Sequence, residues 1–354
     1  MNAPTHDAAG LRLRIADPRG DRDAAQAAAA LPGAGIFHTT AWARTLHAAY
    51  GFRTQLLLAE DATGVVAAAV PVTPLRAWLR GARAVSQPMA DECALLARDA
   101  AARDFLHSAA LALARSRGWR HWELRGAGAT AGTTPATIYH GHLMPLDPAD
   151  WDCPAAAAPS VHRAVRQAVR AGVEVEFGDS ENLLRRFHAL YARTRQRHGA
   201  PPAPWRFFEA LRKELLIPGH GVVVLAVRDG EDLAGGVFLV SGRNGFYKYG
   251  ASDPSRHHLR PNHLVMARAA DWCARRGCTA LDLGRTSLGA EGLRRYKLSW
   301  GATERLITYT RLRSADGQAL LARDHAGRWP APLLRRLPPR LLSALGAVFH
   351  PLLA

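Results

Sequence analysis

Two stretches of the chain repeat one pattern, and this repeat constrains the fold more than any other feature. The first, Ala-Leu-Ala-Arg-Ser-Arg-Gly-Trp-Arg-His-Trp-Glu-Leu-Arg, runs from Ala112 to Arg125. The second, Asp-Trp-Cys-Ala-Arg-Arg-Gly-Cys-Thr-Ala-Leu-Asp-Leu-Gly, runs from Asp271 to Gly284. Each reads as an amphipathic helix stopped by a glycine, Gly118 or Gly277, which suits the left-handed position after a helix. Each continues into a strand whose acidic residue, Glu123 or Asp282, stands five residues after that glycine. A helix, a glycine stop and a strand occurring twice argue for duplicated α/β domains.

Other elements fit around the repeat. Phe52 to Glu60 and Val65 to Val72 read as a hairpin around Asp61–Gly64, and Val222–Val227 with Ala234–Val240 as a second one around Asp229-Gly230. Phe246 to Tyr249 is a predicted strand and Asn262 to Arg276 the helix after it. Tyr247 and Tyr249 then share one face of that strand, with Lys248 on the other. Proline and alanine mark Leu146 to Pro159 as a linker. Ser160–Gly172 and Glu181–His198 follow as helices, the first with Arg163, Arg166 and Arg170 on one face. The Ala-rich residues before Ile36 are too weakly patterned to assign.

The chain has 354 residues, enough for two domains with cores of their own. With 48% hydrophobic and 21% charged residues, it is a globular composition. A net charge of +16 favours polyanionic partners such as RNA, phosphate-bearing substrates or an anionic membrane surface; a solvated arginine-rich exterior is the other reading. Cys93, Cys153, Cys273 and Cys278 show no metal or disulfide spacing and read as reduced, buried thiols. His257, His258 and His263 lie in a basic loop without nearby carboxylates, so no metal is expected. Uncharged runs are too short to span a bilayer, and Met-Asn-Ala-Pro-Thr-His-Asp does not open as a signal peptide. A cytoplasmic protein is expected, peripheral at the inner face of the membrane if its tail binds lipid.

Lysine is rare: Lys213, Lys248 and Lys297 are the only three among 46 basic Lys and Arg residues. Lys297 stands in Gly-Leu-Arg-Arg-Tyr-Lys-Leu-Ser-Trp-Gly, Gly292 to Gly301, after Leu-Asp-Leu-Gly-Arg-Thr-Ser at Leu281 to Ser287. An ammonium kept between Tyr296 and Trp300 in an arginine-rich chain suggests a need for compact charge, which a planar guanidinium does not supply. A lysine at an element's edge with its head in water is the structural alternative.

Tyr-Lys-x-x-Trp-Gly resembles the Phe-Lys-x-x-Phe-Gly signature of the FemABX peptidyltransferases. Asp-Leu-Gly-Arg-Thr-Ser is similar to the Asp-x-Gly-Arg-Ser strand and loop of their relatives with the GNAT acyltransferase fold. The resemblance extends more weakly from about Phe37 to about Tyr309. It implies an α/β fold of tandem GNAT-like domains, each a mixed, mostly antiparallel sheet flanked by helices, and transfer of an acyl or aminoacyl group to an amine. The expected divisions are an N-terminal extension (1–35), a first domain (36–150), a second domain carrying both motifs (151–325) and a basic amphipathic tail (326–354). The implied reaction places an aminoacyl or acyl group on an amine of a cell-envelope precursor.

Such a transfer needs a held donor, a neutral amine and hydrogen-bond donors for the developing oxyanion. The resemblance puts Lys297 and Arg285 at the oxyanion or a donor phosphate, with Tyr247, Tyr249, Asn262, Tyr296 and Trp300 lining the cleft. In GNAT folds a glycine-rich loop entering a helix cradles the CoA pyrophosphate. Here that loop is Ser-Arg-His-His-Leu-Arg-Pro-Asn, Ser255 to Asn262, which has cations but no glycine. That departure tilts the donor from acyl-CoA towards aminoacyl-tRNA, used as a co-substrate with no tightly bound cofactor. Arg256 and Arg260 there, with Arg163, Arg166 and Arg170, are candidate contacts to phosphate or tRNA, or else ordinary solvated cations. Two alternatives stand: an acyl-CoA-dependent N-acetyltransferase of a sugar or small-molecule amine, and an RNA- or membrane-surface-binding protein with a decayed acyltransferase fold.

The acceptor poses a proton problem. An alkyl amine with pKa about 10.4 is neutral in about one molecule in 2,500 at pH 7, a deficit of roughly 4.6 kcal/mol. Around Ser86-Gln-Pro-Met-Ala-Asp91 the chain is similar to the family's Pro-Phe-x-Asp-Tyr loop, with Met89 and Glu92 departing from it. Asp91 is therefore a candidate to bind the ammonium or take its proton, or it is a turn carboxylate capping backbone amides. Beyond Trp329, Leu333 to His350 alternates leucines with Arg335, Arg336 and Arg340, and Arg340 to Phe349 is amphipathic. Such a segment either lies on an anionic membrane or packs across the second domain.

Overall fold

The computed structural model describes residues 10–77, 81–129, 132–148, 153–322, 331–337, 341–342 and 345–346. The chain divides into two α/β units. One comprises residues 1–139 with 306–324, and the other residues 140–305 with 325–353.

The first unit opens with strand β1 (Arg12–Ala16) and helix α1 (Arg22–Ala29), then α2 (Thr40–Tyr50), β2 (Gln55–Glu60), β3 (Val66–Ala77) and β4 (Gly81–Val85). A two-residue strand β5 (Leu96–Ala97) precedes helix α3 (Ala100–Ser116) and strand β6 (His121–Arg125). The stretch expected as an N-terminal extension is thus built into the sheet from Arg12 onward. β1 pairs antiparallel with β2, with Arg12 opposite Glu60. The buried Glu60 carboxylate holds Arg12 at 3.1 Å and Arg14 at 2.9 Å. Helix α1 buries only Ala24 and Ala28, small residues whose pattern is faint in an Ala-rich sequence.

After the first unit come strand β7 (Thr137–Pro145), helix α4 (Pro159–Arg170), strand β8 (Glu174–Gly178) and helices α5 (Glu181–Arg197) and α6 (Trp205–Leu211). Strands β9 (Gly221–Arg228), β10 (Glu231–Ser241) and β11 (Asn244–Ser252) form an antiparallel meander. Its first turn uses Asp229 and Gly230, both at positive φ (51° and 76°), as a two-residue hairpin turn requires. Helix α7 (Pro261–Arg275) leads to strand β12 (Ala280–Asp282), two-residue strand β13 (Thr286–Ser287), helix α8 (Glu291–Leu298) and strand β14 (Thr303–Arg313). In the second unit, strands follow the order β7-β12-β11-β10-β9-β8. Its core joins Val161, Val165 and Ala168 of α4 to Leu264, Ala267 and Cys273 of α7, with Phe238 and Trp300.

The internal repeat has the same topology in both units. Helix α3 ends before Gly118 (φ 66°), and β6 then pairs parallel with β4. Helix α7 ends before Gly277 (φ 80°), and β12 then pairs parallel with β11. A helix crossing over to a parallel neighbour recurs in each unit, while β1-β2, β2-β3, β3-β4, β6-β14, β7-β12, β8-β9, β9-β10 and β10-β11 pair antiparallel. Residues 306–324 depart from the expected division at 325: Tyr309 to Arg313 of β14 bind β6 in the first unit, where Thr310 faces Leu124.

Part of the basic tail packs on the second unit. Helix α9 (Ala331–Arg336) is followed by Leu337, whose carbonyl accepts from Gln196 Nε2 at 2.8 Å. Leu334 and Leu342 are buried, and a Cβ on Gly346 would stand 2.2 Å from the Pro202 carbonyl. Most of the expected amphipathic segment Arg340–Phe349, and residues 149–152 of the expected linker, lie outside the described residues. Among the described residues no helix is long and apolar enough to cross a membrane.

Candidate active site

In the second unit β10 and β11 carry Gly235, Gly236 and Gly250, and Gly236 pairs directly with Gly250. A Cβ on Gly235 would meet Leu225 and Phe187, whereas Gly236 and Gly250 leave room on one face of the sheet. Tyr247 fills part of it, stacking on Phe238 at 5.0 Å with 22° between rings. A Cβ on Gly236 would stand 2.6 Å from the Phe238 ring. Burial pushes the Tyr247 hydroxyl up to about 12, so at neutral pH it is a proton donor and not a base.

A β-bulge corrects the expected placement of the two tyrosines. Val237 pairs with Tyr249 while the next residue, Phe238, pairs with Tyr247. Lys248 is the extra residue, and the bulge sends Tyr249 to the face opposite Tyr247. There Tyr249 packs on Tyr191, Phe207 and Phe208, with ring centroids 5.7, 5.8 and 5.4 Å away. Of the pair, only Tyr247 lines the cleft.

That cleft has a volume of about 310 Å³, and its walls include Tyr247, His257, Arg260, Asn262, His263 and Tyr296. It opens at the start of α7, where a helix N-terminus favours anions. Pro261 takes the first helical position, and Arg260 before it is left-handed at φ 61°, a conformation rare for a side chain larger than asparagine. The preceding 3-10 turn, Pro254–Leu259, is fixed by Ser252 Oγ to His257 Nε2 at 2.9 Å. His263 is held neutral, its pKa lowered to about 4 by burial and then by Arg260. Its ring stands 5.4 Å from Tyr296 and 6.0 Å from Trp300.

Helix α8 gives a physical reason for Tyr-Lys-x-x-Trp-Gly. Tyr296 and Trp300 are four apart and fall on one side: Tyr296 at the cleft, Trp300 wholly buried in the core. Lys297 points elsewhere and is buried, donating Nζ hydrogen bonds to the Gly284 carbonyl (2.7 Å) and the Arg285 carbonyl (3.1 Å). Gly301 (φ 74°) ends the motif where a Cβ would stand 2.5 Å from the Ala156 carbonyl, so no larger residue fits. The two motifs noticed separately in sequence therefore meet through Lys297. Asp282 accepts from the Gly284 amide at 2.7 Å and pairs with Arg305 at 3.5 Å, while Arg285 is half-buried beside them in sequence.

The remaining candidates divide. Arg163, Arg166 and Arg170 form an exposed stripe on α4, whose buried face packs on α7. Gln167 Nε2 between them in sequence donates to the His258 carbonyl at 2.9 Å, tying α4 to the loop at the cleft. Arg260 lines the cleft, while Arg256 pairs with Glu231, the first residue of β10. Asp91 belongs to the first unit, half-buried, its carbonyl accepting from the Tyr309 hydroxyl at 2.6 Å. Met89 in the same loop is left-handed at φ 59°. His257, His263 and Leu293 were not expected in the cleft; helical spacing from Tyr296 would have found Leu293. Among the described residues no group of three or more His, Cys, Asp or Glu is arranged to hold a metal.

Comparison with known proteins bears on this site. Residues 157–298 match the family model described as an acetyltransferase (GNAT) domain. The chain is 28% identical over 120 residues to the UDP-N-acetylmuramoylpentapeptide-lysine N(6)-alanyltransferase of Weissella viridescens. That match covers 34% of this chain and 35% of the relative's length. Among solved structures, FemX is similar over 81% of this chain and 94% of its own, with a TM-score of 0.65 at 15% identity. A tandem GNAT protein from the clavulanic acid biosynthesis pathway covers 85% and 98%, with a TM-score of 0.55 at 15% identity. L-PGS from Bacillus licheniformis covers 93% and 99%, with a TM-score of 0.54 at 11% identity.

Proposed function

Since the chain is a FemABX-like protein of the GNAT fold, we propose that it is an N-acyltransferase moving an aminoacyl group from aminoacyl-tRNA onto an amine of a cell-envelope precursor. The observation that carries this reading is the Tyr296-Lys297 pair of α8, with Tyr296 in the wall of the cleft and Lys297 buried and fixed on the Gly284 and Arg285 carbonyls. A fixed cation in a water-poor site stabilises the oxyanion of an acyl transfer more than one that must reorganise. Tyr247, protonated at all physiological pH values, is a second donor to that charge.

The donor preference rests on the loop at α7. It offers Arg260 and a helix start, but no glycine and a proline without an amide hydrogen at the first helical turn. A pyrophosphate cradle built from consecutive amides is therefore incomplete, whereas an exposed arginine stripe on α4 beside it suits the longer backbone of a tRNA acceptor end. Acyl-CoA is the second reading, supported by the match to an acetyltransferase domain. The acceptor enters the cleft as the neutral amine.

The test is transfer of labelled amino acid to a muropeptide or lipid-linked amine. Transfer abolished by RNase, with tRNA affinity falling around three hundredfold between 50 and 200 mM salt for about six phosphate contacts, supports the aminoacyl-tRNA reading. RNase-insensitive transfer together with micromolar calorimetric binding of acyl-CoA replaces it with the CoA reading.

A further inference from the structure

The tail of the second unit brings charge up to the cleft. Helix α9 packs on α5, where Gln196 Nε2 donates to the Leu337 carbonyl at 2.8 Å. Leu334 and Leu342 are buried in the protein, while Arg335 and Arg336 stay exposed. The residue after Gln196, Arg197, donates from a terminal nitrogen to the Ser252 carbonyl at 3.1 Å. Ser252 Oγ in turn meets His257 Nε2 at 2.9 Å, and His257 stands in the cleft wall. Contacts therefore run unbroken from the tail, through the last turn of α5, to the cleft.

No acid answers the cations along this path. Arg256 pairs with Glu231, but among the described residues Arg195, Arg197, Arg335 and Arg336 pair with no carboxylate. Asp253, beside Ser252, accepts from the Ser255 amide and hydroxyl at 2.9 and 2.7 Å. Arg195 Nε is sheltered from solvent without a hydrogen-bond partner among the described residues, so packing holds this guanidinium. His198, which follows α5, feels the convergence: burial first, then Arg197, Arg195 and Arg335, lower its pKa. A helix C-terminus favours cations by itself. Docking the end of α9 on the end of α5 puts two such cationic ends together, which costs energy unless an anion lies across them.

A membrane fits this surface poorly. An interfacial helix sinks its leucines into the headgroup boundary, and here Leu334 and Leu342 are already buried, with Leu341 the exposed exception. A chain of phosphates fits it well, since guanidinium forks match phosphate oxygens and need no apolar face. We propose that α9 and the last turn of α5 form an RNA-docking surface, where Arg197, Arg335 and Arg336 contact the phosphate backbone of an RNA whose acylated end enters the cleft. That the RNA is the donor tRNA rests on the aminoacyl-transfer reading above. The tail then belongs to donor recognition, apart from the arginine stripe of α4.

Fluorescence anisotropy of a labelled, deacylated tRNA with the full chain tests this without turnover. Arg335→Ala combined with Arg336→Ala is expected to weaken binding at least about tenfold at about 150 mM salt, and to flatten the salt slope by about 0.7 to 0.9 per arginine. Arg335→Lys combined with Arg336→Lys keeps the charge and is expected to keep the slope. A wild-type slope in the alanine pair, or an equal loss in the lysine pair, overturns the docking surface. So does lost flotation of the alanine pair on anionic liposomes with tRNA binding intact, which assigns the tail to lipid. If the wild type binds no tRNA and transfers from acyl-CoA, the donor reading fails and takes this surface with it. If the wild type and the alanine pair bind tRNA alike, the surface alone is overturned.

Discussion

Tyr247 lies over Gly250 so closely that a Cβ at position 250 would stand 1.7 Å from the phenol oxygen. The hydroxyl is therefore aimed by an absent side chain, across a bulge that leaves only Lys248 between the two tyrosines.

Gly250→Ala must displace the Tyr247 ring, whose far edge is confined by Phe238. The expected result is donor affinity at least about tenfold weaker, about 1.4 kcal/mol, with the protein still folded. Equilibrium binding of the donor checks this, with Tyr247→Phe as companion. Wild-type affinity in Gly250→Ala would mean that Tyr247 does not face the donor.

Lys297→Ala is expected to lower turnover at least about tenfold, roughly 1.4 kcal/mol of barrier, without unfolding the protein. Lys297→Arg is expected to be impaired too, because a planar fork does not fit between two carbonyls that hold a compact ammonium. Steady-state kinetics beside a thermal melt checks both. Full turnover in purified Lys297→Ala removes the lysine from the reaction.

Arg163→Ala and Arg166→Ala remove exposed cations from α4 without touching its buried face. Each is expected to flatten the salt dependence of tRNA binding by about one phosphate contact, about 0.7 in the slope. Filter binding across a salt series measures it. Unaltered slopes would make the stripe an ordinary solvated face.

Glu123 in the first unit is buried, 2.9 Å from Arg125 Nε and also bonded to Arg311. Burial raises its pKa, but Arg125 and then Arg311 outweigh burial and hold it well below the usual carboxylate range. A depressed folded pKa contributes stability above the unfolded value, about 4.3, and loses it as pH falls towards the folded one. The first unit is therefore expected to lose stability below about pH 4, and Glu123→Gln to lose about 3 kcal/mol at pH 7. Denaturant melts at pH 7 and pH 3.5 check both. A wild-type melt that does not shift with pH, or a silent Glu123→Gln, contradicts the pairing.

Deleting the residues after Trp329 strips Leu334 and Leu342 from the second unit and leaves Gln196 without the Leu337 carbonyl. Two buried leucines imply a loss of about 3–6 kcal/mol. Thermal melts and flotation with anionic liposomes separate the roles. Reduced flotation with unchanged stability would make the tail a membrane contact.

The sequence disclosed what is encoded locally. The two glycine-stopped helices, the Asp229-Gly230 turn and the arginine stripe of α4 each follow from a pattern within a few turns of chain. Tyr-Lys-x-x-Trp-Gly disclosed Lys297, though not the carbonyls it binds thirteen and twelve residues earlier. The faces of Tyr247 and Tyr249 are not legible in β11 alone, because a bulge depends on the pairing of β10 with β11. The docking of α9 on α5 gave no signal, since Gln196 and Leu337 are far apart in sequence. Strand β1, Arg-Leu-Arg-Ile-Ala, buries only Ala16 and so shows little contrast between its faces, and helix α1 after it buries only alanines.

The last strand has a consequence for anyone dividing this chain. A fragment ending at residue 150 would look like a complete first half, yet it lacks Tyr309 to Arg313. Its β6 would be left as an open edge, and Glu123 would keep one arginine of two. Such a fragment is expected to aggregate. A viable excision of the second half must retain residues 306–324 by a short splice.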